Sequence, residues 1–157
     1  MPPEPSPAEV SQFVERFAGV LVSSGVPSMS ARVMARMLVS PTGTMTAAEL
    51  AESLRISQPA VSGAVRQLIQ VSFITRERHP GSRRDHYRVR DDVFTAILER
   101  RNNALAEWES SVRTGADLFG PDTTVGRRLC DAAEFFAFIH ADLGRLVKNW
   151  RTSHPSR

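Results

Sequence analysis

The sequence predicts a mainly α-helical chain with one small β-hairpin and further helices flanking both at either end. Three observations predict this. Two short, separately capped helices joined by a tight turn lie between Thr46 and Val71. A pair of arginine-rich strands follows at once, ending at Arg90. Beyond them, apolar residues recur every three or four positions almost to the end of the chain.

A chain of 157 residues suits one compact domain, or a small domain extended by dimerisation helices. Its 41% hydrophobic and 24% charged residues are those of an ordinary folded protein. The formal net charge is only +3, but it is unevenly placed. Residues 1–65 carry four Lys/Arg against five Asp/Glu, and residues 91–157 carry nine against ten. Between them, residues 66–90 hold seven arginines and two acids. Charge concentrated in this way points to a polyanion docking at one place; the alternative is a solvated charged hairpin. The single Cys130 excludes a disulfide framework within the chain and fits a reducing cytoplasm. No apolar run approaches the roughly 18 residues of a membrane span.

Residues 1–6 are proline-rich and read as a flexible tail. Val10, Phe13, Phe17 and Val20 recur at helical spacing, which predicts a helix over about residues 7–24. Gly25 and Pro27 end it, so residues 7–27 form an N-terminal dimerisation helix. A second apolar group, Val33, Met34, Met37 and Leu38, closes at Ser40-Pro41-Thr42-Gly43. Thr46-Ala47-Ala48-Glu49 then reads as a capping box, in which hydroxyl and carboxylate each satisfy the other residue's amide. It starts a short helix with Leu50 and Leu54 pointing inward. After a turn at Arg55-Ile56, Ser57 caps a further helix that tolerates Pro59 in its first turn.

These two helices have the proportions of a helix-turn-helix. In the second, Val61, Ala64, Val65 and Leu68 share an inner face, while Gln58, Ser62 and Arg66 share an outer one. That outer face has no acids, and Gly63 keeps it slim, as entry into a major groove requires. An αα-hairpin with a polar outer face is the plainer reading, and the next segment argues against it. Phe73-Ile74-Thr75-Arg76 and His86-Tyr87-Arg88-Val89-Arg90 read as strands joined by a turn at Pro80-Gly81-Ser82, with Arg83 and Arg84 at the tip. A basic hairpin behind such a helix is a wing able to place arginine in a minor groove. Residues 28–90 are therefore expected to form a winged helix-turn-helix domain that binds double-stranded DNA.

Residues 91–157 are expected to form a C-terminal helical dimerisation region. Asp91-Asp92 start a helix, their charge suiting its positive end, and it runs through Phe94, Leu98, Leu105, Trp108 and Val112 to Gly120-Pro121. A last helix then carries Val125, Leu129, Ala132, Phe136, Ile139, Leu143, Leu146 and Trp150, spaced alternately four and three apart. Phe135 and Phe138 widen this seam, so the helix must bury more than one face. A second copy of the chain is the natural cover; an intrachain bundle is the alternative.

Enzyme readings find no footing. The chain has no glycine-rich phosphate loop, paired metal motif or recognisable Ser/His/Asp context, and no cofactor is expected. His79 and His86 could approach across the wing, but two histidines without a third ligand make a poor metal site. Cys130 reads as a packed thiol; a redox sensor would need exposure and a lowered pKa.

Thr46 to Ala51, Ser57 to Ser62 and the Arg83-Arg84 wing resemble the MarR family of bacterial regulators. The run from Phe73-Ile74 through Tyr87-Arg88-Val89-Arg90 into a long helix resembles its GbsR-related branch. The resemblance implies a mainly α fold with a small β-wing, that is, a winged helix-turn-helix domain flanked by N- and C-terminal dimerisation helices. It implies a cytoplasmic homodimer bound to a pseudo-palindromic operator, a ligand-responsive repressor. The alternative is a DNA-binding architectural or protein-interaction module that needs no effector. By position, Thr46, Ser57, Gln58, Pro59, Ser62, Arg66, Arg83 and Arg84 would form the DNA-binding set. The family commonly has an aspartate two residues before the wing arginine, where this chain has Ser82, with Asp85 after it. Met29, Met34, Met37 and Met45 cluster around the second helix, a usual place for a pocket in such a fold. Phe17, Met34, Met37, Phe94 and Trp108 are the expected walls of a pocket for a small apolar effector, against the plainer reading of a methionine-rich core.

Overall fold

The computed structural model describes residues 4–78, 81 and 84–154. The chain forms two compact units, residues 1–93 and 94–157. In order, the elements are α1 (Pro7–Ser23), α2 (Ser28–Leu38), β1 (Thr44–Thr46), α3 (Ala47–Leu54), α4 (Gln58–Gln70), β2 (Ile74–Arg78), β3 (Asp85–Val89), α5 (Val93–Phe119) and α6 (Thr124–Ser153).

In the first unit α1 begins with a capping box. The Ser6 hydroxyl accepts the Glu9 amide at 3.3 Å, and the Glu9 carboxylate accepts the Ser6 amide at 2.8 Å. The helix buries Val14 and Ala18 and packs on α2. α2 is the centre of the unit. It touches α1, α3, α4 and β3, so Ala31, Val33, Met34, Ala35 and Met37 all lie in the core. The methionines are there because α2 is covered on every side but one, and flexible thioethers fill the irregular gaps.

The helix-turn-helix is built by local caps. Thr46 accepts the Glu49 amide while the Glu49 carboxylate accepts the Thr46 amide at 2.7 Å. Ser57 accepts the Ala60 amide and starts α4. Between the two helices Arg55 ends α3 in a left-handed conformation, φ 52° and ψ 49°. For a residue with a Cβ this costs about 1–2 kcal/mol.

The hairpin joins a third strand that the sequence did not announce. β1 pairs antiparallel with β3 from Thr44 opposite Arg88 to Thr46 opposite His86, giving the order β1-β3-β2. β2 and β3 pair from Ile74 opposite Val89 to Arg78 opposite Asp85. Ile74 and Tyr87 face the core. The expected turn at Pro80-Gly81-Ser82 lies outside the described residues except for Gly81, which has a left-handed φ of 84°.

α5 starts at Val93, two residues after the expected start at Asp91-Asp92. Asp92 is taken by Arg90, whose guanidinium donates to it at 2.8 and 2.9 Å, so the acid braces the strand exit.

In the second unit α5 and α6 are joined through Gly120. The Thr123 hydroxyl donates to the Gly120 carbonyl at 2.8 Å and accepts the Gly126 amide at 3.0 Å. Trp108 meets Phe136 edge to face at 5.5 Å. The Asn102 carbonyl receives His140 Nδ1 at 2.9 Å, and Arg151 pairs with Glu99 at 2.6 Å. The side of α6 that this unit covers differs from the expected seam. Gly126, Ala133 and Val147 are buried, and Cys130, Ala137, His140 and Gly144 are half-buried. These positions also alternate four and three apart, but with mostly small side chains. Of the expected seam, Leu129, Ala132, Phe136, Ile139 and Leu143 are half-buried as well, and its ends are open. Val125 is 42%, Leu146 65% and Trp150 55% exposed, with Phe135 and Phe138 at 59% and 63%.

Candidate nucleic-acid interface

The inner face of α4 decides what its outer face can do. Val61, Ala64, Val65 and Leu68 are buried, so the helix is held against α2 and α3. A part-buried hydrogen bond fixes it further: the Ser30 hydroxyl of α2 donates to Gln67 Oε1 at 2.6 Å. Gln58, Pro59, Ser62 and Arg66 are then all exposed, together with Ser57 at the cap. No acid stands in the first turn. A Cβ built on Gly63 would meet nothing within 4 Å, so nothing inside the unit requires a glycine there. What it spares is bulk on the outer face. Arg66 lies back along the helix, its Nε donating to the Ser62 carbonyl at 3.3 Å.

Thr46 stands apart from this set. It is 6% exposed, and its hydroxyl is occupied by Glu49, so it supports α3 from inside rather than presenting a surface. Two hydrogen bonds from Thr46 hold the Glu49 carboxyl below its usual range, and the positive charges of His86 and Arg84 add to this.

The hairpin carries its arginines in a braced array. Asp85 pairs with Arg76 at 2.7 Å and Arg78 at 3.3 Å, both on the neighbouring strand. Arg88 reaches Glu77 at 3.9 Å and Asp91 at 3.6 Å. Asp85 thus ties the two strands together, a different task from the aspartate that the resemblance places before the wing arginine. Arg84 is exposed. Arg83 and His79 lie outside the described residues. Arg55, which sequence reasoning passed over, is exposed in the turn just ahead of α4. Its signal was available: a charged residue directly between the two helices, where the turn favours glycine.

A short capped helix, a second helix with an acid-free outer face, and a basic hairpin behind it form a winged helix-turn-helix. Comparison with known proteins agrees over most of the chain. Residues 37–86 match the MarR family, and residues 92–153 match the MmpR5-like MarR family transcriptional regulators. The HTH-type transcriptional regulator MmpR5 of Mycobacterium tuberculosis (strain ATCC 25618 / H37Rv) is 29% identical over 132 residues, 83% of this chain and 80% of that protein. The crystal structure of a transcriptional regulator superposes with a TM-score of 0.77 at 26% identity, covering 91% of this chain and 98% of that one. The chain is thus similar to the MarR family over both stretches. It is a DNA-binding transcriptional regulator, and among the described residues no helix is long and apolar enough to cross a membrane.

The expected effector residues do not share one setting. Met34 and Met37 are 1% and 0% exposed within the first unit, and Phe17 is half-buried on α1, stacked on Phe13 at 5.9 Å. Phe94 and Trp108 belong to the second unit and are more than half exposed. Cys130 is half-buried on the covered side of α6.

Proposed function

We propose that this regulator is a homodimeric MarR-family repressor that binds a pseudo-palindromic operator. α4 would enter the major groove through Ser57, Gln58, Pro59, Ser62 and Arg66, with Arg83 and Arg84 of the wing at the flanking minor groove. The observation that carries the dimer is the apolar surface that α6 leaves open. Small residues and Phe136 lie on the side covered within the protomer, while Val125, Phe135, Phe138, Leu146 and Trp150 stay exposed. So much apolar surface on one small unit needs a partner, and a second copy supplies the same surface by symmetry. A two-fold dimer carries two recognition helices and fits a site with two half-sites about one helical turn apart. The finer likeness to a GbsR-related branch rests on residues 73–90 alone and is part of this proposal, as is a cytoplasmic location.

Release by a small apolar effector belongs to the same reading. A second reading, a DNA-binding module without an effector, is favoured by one observation: Met34 and Met37 are packed in the core and offer a ligand no surface. Selection of a duplex from a random pool, followed by anisotropy titration, separates the two. The repressor reading expects one palindrome to bind roughly a thousandfold or more over unrelated DNA, and some apolar compounds to weaken it. Equal binding to all sequences, or compounds that bind the protein and leave operator affinity unchanged, would favour the module.

A further inference from the structure

The turn between α3 and α4 holds an arginine where the backbone favours glycine. Arg55 is left-handed, its amide donating to the Ala51 and Glu52 carbonyls, and the Ile56 amide returns to Ala51 at 3.0 Å. This is a helix C-terminal closure that glycine makes without a Cβ penalty. The turn therefore does not need the arginine side chain, and its Cβ works against the conformation. Nor does the side chain serve the surrounding fold. It is exposed, and among the described residues it has no ion pair. Two residues later Ser57 caps α4, whose first turn has no acid and whose free amides form the positive end of the helix.

We propose that Arg55 grips a DNA backbone phosphate at the mouth of the groove that α4 enters. The proposal rests on the assignment of α4's outer face to DNA. When the N-terminal half of a recognition helix lies in the major groove, the turn ahead of it comes to the groove's edge, where phosphates stand. A planar guanidinium can hold two phosphate oxygens at once. Such a contact sets the depth and register of α4 and reads no base. Arg55 is thus a positioning residue for Gln58, Ser62 and Arg66.

The test compares Arg55→Gly, Arg55→Asn and Arg55→Lys with wild type, on a palindromic duplex selected by the wild-type protein and on an unrelated duplex of equal length. Glycine and asparagine both accept the left-handed turn, so the thermal midpoint should hold or rise. Affinity for both duplexes should fall by up to roughly eightfold per protomer at 0.1 M salt, about sixtyfold for a dimer, the factor that one released counterion per protomer supplies at a slope near 0.9. The log–log salt slope should shrink by about 1 per protomer. Arg55→Lys should keep most of the affinity and the slope. Unchanged affinity and slope in the folded glycine and asparagine variants overturn the proposal, as does a lysine variant as weak as the glycine one. Arg66→Ala, run in parallel, separates the two failures. If it weakens the selected duplex while the Arg55 variants do not, Arg55 alone is misassigned. If none of them matters, the DNA-facing assignment of α4 falls too.

Discussion

Arg32 and Glu15 join α2 to α1 through a two-pronged ion pair, with Nη2 and Nε of the guanidinium 2.7 and 2.9 Å from one carboxylate oxygen. The same Nη2 donates to the Leu54 carbonyl at 3.2 Å. Leu54 is the last residue of α3, so this is one of the carbonyls a helix end leaves without a partner. One side chain thus links the first helix, the central helix and the turn that leads into α4. The two partners should not be equivalent on mutation. Glu15 is half exposed, and an exposed pair is worth at most about 1 kcal/mol. Arg32→Ala also strips the Leu54 carbonyl and should cost more, about 1–2 kcal/mol in urea unfolding. Equal effects of Glu15→Ala and Arg32→Ala would show that the Leu54 bond contributes nothing.

Gly63 offers a separation of stability from binding. A methyl there meets nothing in the protomer, so Gly63→Ala should stabilise the free protein by up to about 1 kcal/mol through helix propensity. The same methyl adds bulk to the face that approaches DNA. Operator affinity should fall while the melting temperature rises. A variant that gains stability and binds DNA unchanged would mean that α4 does not pack closely into the groove at this point.

The helix-turn-helix was legible because its signals are local. The Thr46–Glu49 box and the Ser57 cap each join residues three apart, so sequence spacing alone specifies the bond. β1 was not legible. Its three residues carry no alternation of their own, and they become a strand only by pairing with residues forty or more positions away. How α6 divides its apolar residues was not legible for a different reason. Alternating four-three spacing shows which residues share a stripe, not which part of it the protomer's own α5 covers. Likewise Asp92 looked like the first turn of α5, yet a bidentate arginine two residues back holds it outside the helix.

The covered and the exposed apolar positions of α6 predict two different failures. Leu146→Glu or Phe138→Glu changes an exposed position and should leave the circular dichroism of the protomer intact while shifting sedimentation toward monomer. Ala133→Leu adds three carbons on the covered side and should cost about 1–3 kcal/mol of stability by overpacking. A Leu146→Glu protein that remains dimeric at micromolar concentration would remove the large-residue seam from the interface.

Acid should loosen the N-terminal end of α3. The Glu49 carboxyl is held below its ordinary value by two hydrogen bonds from Thr46. A carboxyl depressed on folding stabilises the fold above its unfolded pKa, and that stabilisation is lost as pH falls through the folded value. Glu49→Gln should therefore match wild type in acid and lag behind it near neutrality. Identical pH–stability curves for the two proteins would rule out this contribution.

Gly126 is where α6 can least accept a side chain. A Cβ built there would stand 1.9 Å from the Gly120 carbonyl oxygen and 2.7 Å from its carbon, both backbone atoms that cannot rotate away. The Thr123 hydroxyl makes the restraint worse, because it is bound to the Gly120 carbonyl and the Gly126 amide at once. Gly126→Ala gains helix propensity of about 1 kcal/mol, as it would at Gly63. Here the clash must be relieved by moving the whole α5–α6 turn, and steric strain of this kind outweighs propensity. The expected result is a net loss of stability, opposite in sign to Gly63→Ala, although both replace a helical glycine by alanine. Gly144→Ala is the intermediate case, since its added carbon would lie 3.4 Å from the Asn102 side-chain nitrogen, which can shift. Thermal unfolding of the three variants should rank Gly63→Ala above Gly144→Ala above Gly126→Ala. If Gly126→Ala melts as high as Gly63→Ala, the close approach between the start of α6 and the Gly120 turn is wrong.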